Sequence, residues 1–168
     1  DVNITIKGAA HDDPEFQKLR DKLLKTAGSP LNHGQYEKMK SRIESLALER
    51  GYLKGAFSEK KLLIDKQLNK AQIKLAYDAG KRLEFGKVVV DQDILDPDYV
   101  EKFISIKTGT PFSSEELAQT HNNLSKSGYF EIVDVQPDTE NADDQVPVII
   151  KLIPKKKHHF AFGVGFDT

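Results

Sequence analysis

Tyr77-Asp78-Ala79-Gly80-Lys81-Arg82-Leu83-Glu84-Phe85-Gly86 is the stretch on which the organisation of this chain turns. Ile73, Leu75 and Tyr77 alternate with polar residues and stop at Gly80. Leu83 and Phe85, then Val88 and Val90, begin a second alternating run, and such alternation marks a half-buried strand. Two strands separated by so few residues leave no flexible linker, so two units are expected to meet here nearly rigidly. Leu83 and Phe85 are out of phase with Val88 and Val90 around Gly86, which predicts a bulge or bend.

Toward the N-terminus, Val2, Ile4 and Ile6 predict a short strand closed by Gly8. Asp13-Pro14 reads as an N-cap followed by proline at the first helical position, with Phe16, Leu19, Leu23 and Ala27 at helical spacing behind it. Asn32-x-x-Gln35 predicts a reciprocal cap with Leu31 and Tyr36 as its staple, opening a helix that Gly51 ends. Tyr52 to about Ile64 and Ala71 to Tyr77 read as two strands. The order is strand, helix, helix, strand, strand.

Toward the C-terminus the same parts return. Asp96-Pro97 repeats the helix entry, with Val100, Phe103 and Ile104 as the inward face. Ser113-x-x-Glu116 repeats the reciprocal cap, with Phe112 and Leu117 as its staple. Gly128 ends the helix, Tyr129 to Val135 form the middle strand, and Val146, Val148, Ile150 and Leu152 begin the last. Pro30, Leu31, Asn32, Gln35 and Tyr36 match Pro111, Phe112, Ser113, Glu116 and Leu117 at an offset of 81 residues, whereas Gly51-Tyr52 matches Gly128-Tyr129 at 77. The second helix of the first copy thus carries four extra residues, close to one turn of ~3.6, which keeps its buried face near register.

The chain has 168 residues, with 38% apolar and 30% charged side chains and a net charge of -1. That length permits one domain of ordinary size or two small ones, and the charge balance supplies no field for gathering nucleic acid or anionic lipid. The absence of cysteine removes disulfides, thiolate chemistry and cysteine-based zinc sites. No stretch reaches the ~20 apolar residues of a spanning helix. Beginning in mid-strand and stopping at Thr168, the sequence reads as an excised piece, so the lack of a leader says little about its compartment.

Beyond Lys155-Lys156-Lys157-His158-His159 the pattern changes. Phe160, Phe162, Val164 and Phe166 share one face, and Ala161, Gly163, Gly165 and Asp167 the other. Large apolar groups outside and small groups inside suit a transmembrane β-strand, and an ordinary soluble strand is the alternative. The expected boundaries are 1–80 for the first unit, 81–157 for the second and 158–168 for the start of a barrel strand.

Two βααββ units joined tightly and followed by such a strand resemble the POTRA modules of the Omp85 outer-membrane family, in an α+β class. Gly51-Tyr52 and Gly128-Tyr129 look like that family's helix-to-strand step, and Gly109-Thr110-Pro111-Phe112 looks like its helix connection. Ala76 to Gly86 is similar to the junction of the TamA branch, the outer-membrane half of a translocation and assembly module. The long second helix of the first copy and Lys81-Arg82 depart from that branch. The resemblance covers essentially the whole chain. It implies a periplasmic scaffold beneath the protein's own C-terminal barrel, helping to assemble outer-membrane and autotransporter proteins. Its implied partners are unfolded outer-membrane clients and an inner-membrane-anchored TamB-like protein. The main barrel-assembly protein and a two-partner secretion transporter are the alternatives within the superfamily. A small α/β nucleic-acid-binding protein is the alternative outside it.

In the POTRA fold the middle strand of each unit is an exposed edge, which either takes a partner strand by main-chain pairing or simply faces water, guarded by Lys54, Lys60, Lys61, Glu131 and Asp134. The candidate residues are Lys54, Ala56, Ser58 and Lys60 in the first unit, and Glu131, Val133 and Val135 in the second. Gly80, Arg82, Phe85 and Gly86 are the candidate joint residues. No enzyme activity, cofactor, metal or nucleic-acid partner is expected. The histidines are scattered, and adjacent His158 and His159 on a strand would point to opposite faces. Ser113 has no arguable histidine partner, and Gly163-x-Gly165 lacks the rest of a dinucleotide loop.

Overall fold

The structure, a computed structural model, describes residues 1–30, 33–93 and 95–155. Strand β1 (Val2–Lys7) leads through a 3-10 turn (Gly8–Ala10) to helices α1 (Pro14–Leu24) and α2 (His33–Glu49), then to strands β2 (Ala56–Asp65) and β3 (Lys70–Asp78). Strand β4 (Glu84–Asp91), helices α3 (Pro97–Glu101) and α4 (Ser114–Lys126), and strands β5 (Phe130–Pro137) and β6 (Gln145–Pro154) repeat that order. The architecture is α+β, two tandem βααββ modules.

Each sheet has three strands, in the order β1-β3-β2 and β4-β6-β5. The first strand of a module runs parallel to the last, placing Ile4 beside Leu75 and Val90 beside Ile150. The middle strand of the chain pairs antiparallel with the same central strand. Alternation decides which face is buried. Ile73, Leu75 and Tyr77 pack under Phe16, Met39 and Ile43, and Val146, Val148, Ile150 and Leu152 pack under Val100 and Leu124. Burying one such aliphatic side chain stabilises by about 1.5–3 kcal/mol, so the period-two pattern fixes the register of each sheet.

Both Asp-Pro entries form as the sequence predicts. Asp13 accepts from the Glu15 N–H at 3.0 Å and Asp96 from the Asp98 N–H at 2.9 Å, each with proline in the first turn. Helix α2 has 17 residues and α4 has 13, which is the four-residue excess implied by the two offsets. The pairing of β4 with β6 slips between Phe85 and Val88, so the bulge at Gly86 is present.

Three expectations change. The Ser113 backbone is extended as an N-cap should be, but its side chain makes no capping bond. Glu115 and Glu116 in the first turn still complement the positive end of α4. Helix α3 stops at Glu101, so Phe103 and Ile104 pack on the second core from the turn beyond it. Strand β2 begins at Ala56 rather than Tyr52, because Tyr52 is buried and Leu53 turns to pack on the core of the second module. The expected cap at Asn32 with Leu31, and the closing strand at 158–168, lie outside the described residues.

Candidate interaction edges and the joint between modules

At the joint the backbone itself is the adhesive. The Leu83 N–H donates to the Gly51 carbonyl at 2.8 Å, and the Phe112 N–H donates to the Leu83 carbonyl at 2.9 Å. The Phe85 N–H donates to Thr110 O and its carbonyl accepts from the Gly109 N–H, both at 2.8 Å. The turn that ends α2 is therefore tied to the first strand and helix connection of the next module. Gly51 has φ +84°, and a Cβ there would lie 2.9 Å from the Phe112 Cβ. Glycine is needed for both the left-handed backbone and the close approach.

Side chains reinforce the seat. Arg82 donates from Nε to the Arg50 carbonyl at 2.7 Å, and its guanidinium lies 6.0 Å from the centre of the Tyr52 ring. Arg50 donates from its own Nε to Asp13 Oδ2 at 2.7 Å, and the Tyr52 hydroxyl donates to the same oxygen at 3.0 Å. Asp13 therefore caps α1, pairs with Arg50 and holds Tyr52. Burial alone would raise its carboxyl, but the bonds from Arg50, the Glu15 N–H and Tyr52 outweigh that and hold it below its ordinary value. Burial, followed by the bond to Asp13, pushes the Tyr52 phenol up.

Of the four candidate joint residues, Arg82 spans the seat, while Gly80, Phe85 and Gly86 bond within their own modules. Gly80, at φ +63°, accepts from the Ala9 N–H at 2.9 Å. The Phe85 ring is fully buried, 5.0 Å from that of Phe112. Gly86 accepts from the Thr108 hydroxyl at 2.9 Å, and a Cβ there would come within 3.1 Å of the Pro147 nitrogen. Lys54 belongs here too. It sits in the turn before β2, and its ammonium donates to the Asp143 carbonyl of the second module at 3.0 Å. Its sequence neighbours carried no signal for that role, since the contact spans 89 residues.

The remaining candidates lie on edges, because β2 and β5 each have only one paired side. Ala56 and Ser58 are exposed, and Ser58 lies in a register slip between Phe57 and Glu59 where its hydroxyl donates to Ala76 O at 3.3 Å. Lys60 is exposed, with its ammonium 5.8 Å from the Phe57 ring. Glu131 occupies the matching slip on β5, between Phe130 and Ile132, while Val133 and Val135 pack inward on the second core. Ile132 is 51% exposed and faces Ile153, 50% exposed, on the neighbouring strand. The β5 edge thus carries an apolar pair on the sheet face opposite the helices. Sequence alternation alone did not flag that pair. Strands β1 and β4 form the other edge of each sheet.

This geometry defines a class: tandem modules whose edges are open and whose joint is backbone-locked. Residues 83–155 match the family model described as POTRA, surface antigen variable number repeat. Among solved structures, POTRA3-5 of BamA from Haemophilus influenzae superposes with a TM-score of 0.58 at 20% identity, over 90% of this chain and 59% of that one. BamA from Haemophilus ducreyi lacking POTRA domains 1–3 gives a TM-score of 0.59 at 21% identity, over 83% of this chain and 27% of that one. At that identity the likeness is one of fold. The chain spans less than two thirds of either relative.

Proposed function

We propose that this chain is part of the periplasmic scaffold of an Omp85-family outer-membrane protein. Its edges hold incoming strands while its joint keeps the two modules at a set angle. It acts by docking and performs no catalysis. The observation that carries the reading is the β5 edge, unpaired on one side and flanked by exposed Ile132 and Ile153. Main-chain pairing accepts many sequences, and the two isoleucines favour segments with alternating apolar residues. Unfolded outer-membrane and autotransporter strands have that pattern. The Ala76 to Gly86 junction supports the TamA branch, with a TamB-like partner and the protein's own barrel as the other contacts.

Titration of the isotopically labelled chain with a nine-residue barrel-strand peptide tests the reading. Amide shifts should concentrate on residues 131–136, with a weaker set on 58–64. A peptide with proline at alternate positions cannot donate to the ladder and should not bind. Equal binding of the proline peptide, or shifts confined to the helices, would exclude strand addition. Titrating the periplasmic part of a TamB-like protein then tests the branch: saturable shifts favour TamA, and none would remove it.

A further inference from the structure

The two modules share one architecture, but the outer faces of their sheets, turned away from the helices, differ in chemistry. On the first sheet that face is largely polar. Asn3, Lys74 and Lys61 stand in register across one row, and Thr5, Ala76 and Glu59 across the next. Glu59 and Lys61 pair at 2.9 Å, and Gln72 lies beside Leu63 in the remaining row.

On the second sheet the matching positions are aliphatic. Gln72, Lys74 and Ala76 of β3 give way, 77 residues on, to Ile149, Lys151 and Ile153 of β6. Val148, Ile150 and Leu152 are buried on the helix side, so alternation turns Ile149 and Ile153 outward. Ile149, 38% exposed, lies beside Val89, 43% exposed, on β4, and Ile153 lies beside Ile132 on β5. Between these two apolar pairs a row of charge crosses the sheet, with Lys151 in register with Asp91 on one side and Asp134 on the other. Gln136 donates to Asp134 Oδ2 at 2.9 Å.

A solvated sheet face has no need of such residues, as the first module shows, and exposed aliphatic groups gathered on one surface mark a contact. Main-chain pairing is not what this face offers, because β6 is bonded on both sides, to β4 and to β5. Its occupant is held by side chains, so the contact goes beyond strand capture at the β5 edge. A second copy of the chain fits poorly. A two-fold contact sets the centre of the surface against itself, and that centre is Lys151. The charges favour a different occupant. Two carboxylates flank one ammonium, leaving an excess of negative charge midway between the apolar pairs. Ile149 and Ile153, four residues apart on one strand, stand about 14 Å apart. Two to three helical turns cover the same length, roughly 11–16 Å.

We propose that the outer face of the second sheet docks an amphipathic helix of a partner protein, aliphatic at both ends of its stripe and carrying one lysine or arginine between them. The aliphatic ends cover the Val89 and Ile149 pair and the Ile132 and Ile153 pair. The cation pairs with exposed Asp91, while Lys151 and Gln136 stay with Asp134.

The probe is an alanine-rich helical peptide with leucine at i, i+4 and i+11 and lysine at i+7, all on one face, titrated into the whole 168-residue chain. Methyl resonances of Val89, Ile132, Ile149 and Ile153 should shift together. I149Q with I153A, which places the first module's residues at exposed positions and leaves the β5 edge intact, should weaken binding at least roughly ten-fold. A peptide with glutamate at i+7 should bind roughly five-fold more weakly than the lysine peptide, and D91N should remove that preference. No methyl shift up to about 1 mM peptide, equal binding of the two peptides to the wild type, or binding unchanged in I149Q with I153A would overturn the proposal. A wild type that sediments as a dimer, and as a monomer with I149Q and I153A, would assign the face to a second copy and overturn it too.

Discussion

Gly51→Ala should lower the stability of the first module by about 2–4 kcal/mol and open the angle between the modules. Two costs combine. An L-residue at φ +84° carries roughly 1–2 kcal/mol of backbone strain. The added methyl also lies 2.9 Å from the Phe112 Cβ and 3.1 Å from the Phe112 carbonyl, neither of which is the free end of a flexible side chain. Relief requires the 108–112 connection to retreat, which strains the bond from the Phe112 N–H to Leu83. Gly128→Ala provides the comparison, since it has the same φ of +84° with open space around it among the described residues. It should cost only the backbone part. Urea unfolding followed by circular dichroism would measure both, and small-angle scattering would read the angle. Equal losses in the two variants would mean that the Phe112 contact does not bear on stability.

Asp13→Ala should destabilise the first module by about 3 kcal/mol. The helix cap accounts for about 1 kcal/mol. The rest comes from leaving the buried Tyr52 hydroxyl without its short partner and the Arg50 guanidinium without a counter-charge. Arg50 is 28% exposed, so water recovers part of that loss. Asp13→Asn keeps the cap and an acceptor for Tyr52, and should cost less. The two variants also carry a pH signature. The Asp13 carboxyl is held below its ordinary value in the fold, so it stabilises fully above that value of about 3.9. The contribution is lost as pH falls through the lower folded value. Wild type and Asp13→Asn should therefore converge in stability on acidification below about pH 4. A difference that stays constant down to pH 2 would show that the charge of Asp13 contributes nothing.

Much of the fold is legible because its signals are local. Asp13-Pro14 and Asp96-Pro97 cap helices wherever they sit, and alternation at Ile73, Leu75 and Tyr77 points to one buried face without knowledge of the elements that cover it. Signals that depend on distant residues were not legible. Gly51-Tyr52 and Gly128-Tyr129 are the same dipeptide after the same helix, yet Tyr52 is 3% exposed and Tyr129 is 43% exposed. The difference lies in the neighbour each dipeptide meets, not in the dipeptide. Lys54 reads as part of an amphipathic strand because its neighbours alternate, but Leu53 finds an apolar surface in the second module and turns the chain away. The exposed pair Ile132 and Ile153 becomes a feature only when β5 and β6 bring the two together, 21 positions apart.

The parallel pairing of β1 with β3, and of β4 with β6, has a mechanical consequence. A chain that enters a sheet on one strand and leaves on a parallel neighbour exits at the opposite end from its entry. Successive copies must therefore stack lengthwise, each adding about one strand length, on the order of 20–30 Å. With a backbone-bonded seat between copies, the assembly behaves as a jointed rod. A few degrees of rotation about Gly80 to Leu83 would sweep its far tip through several ångströms.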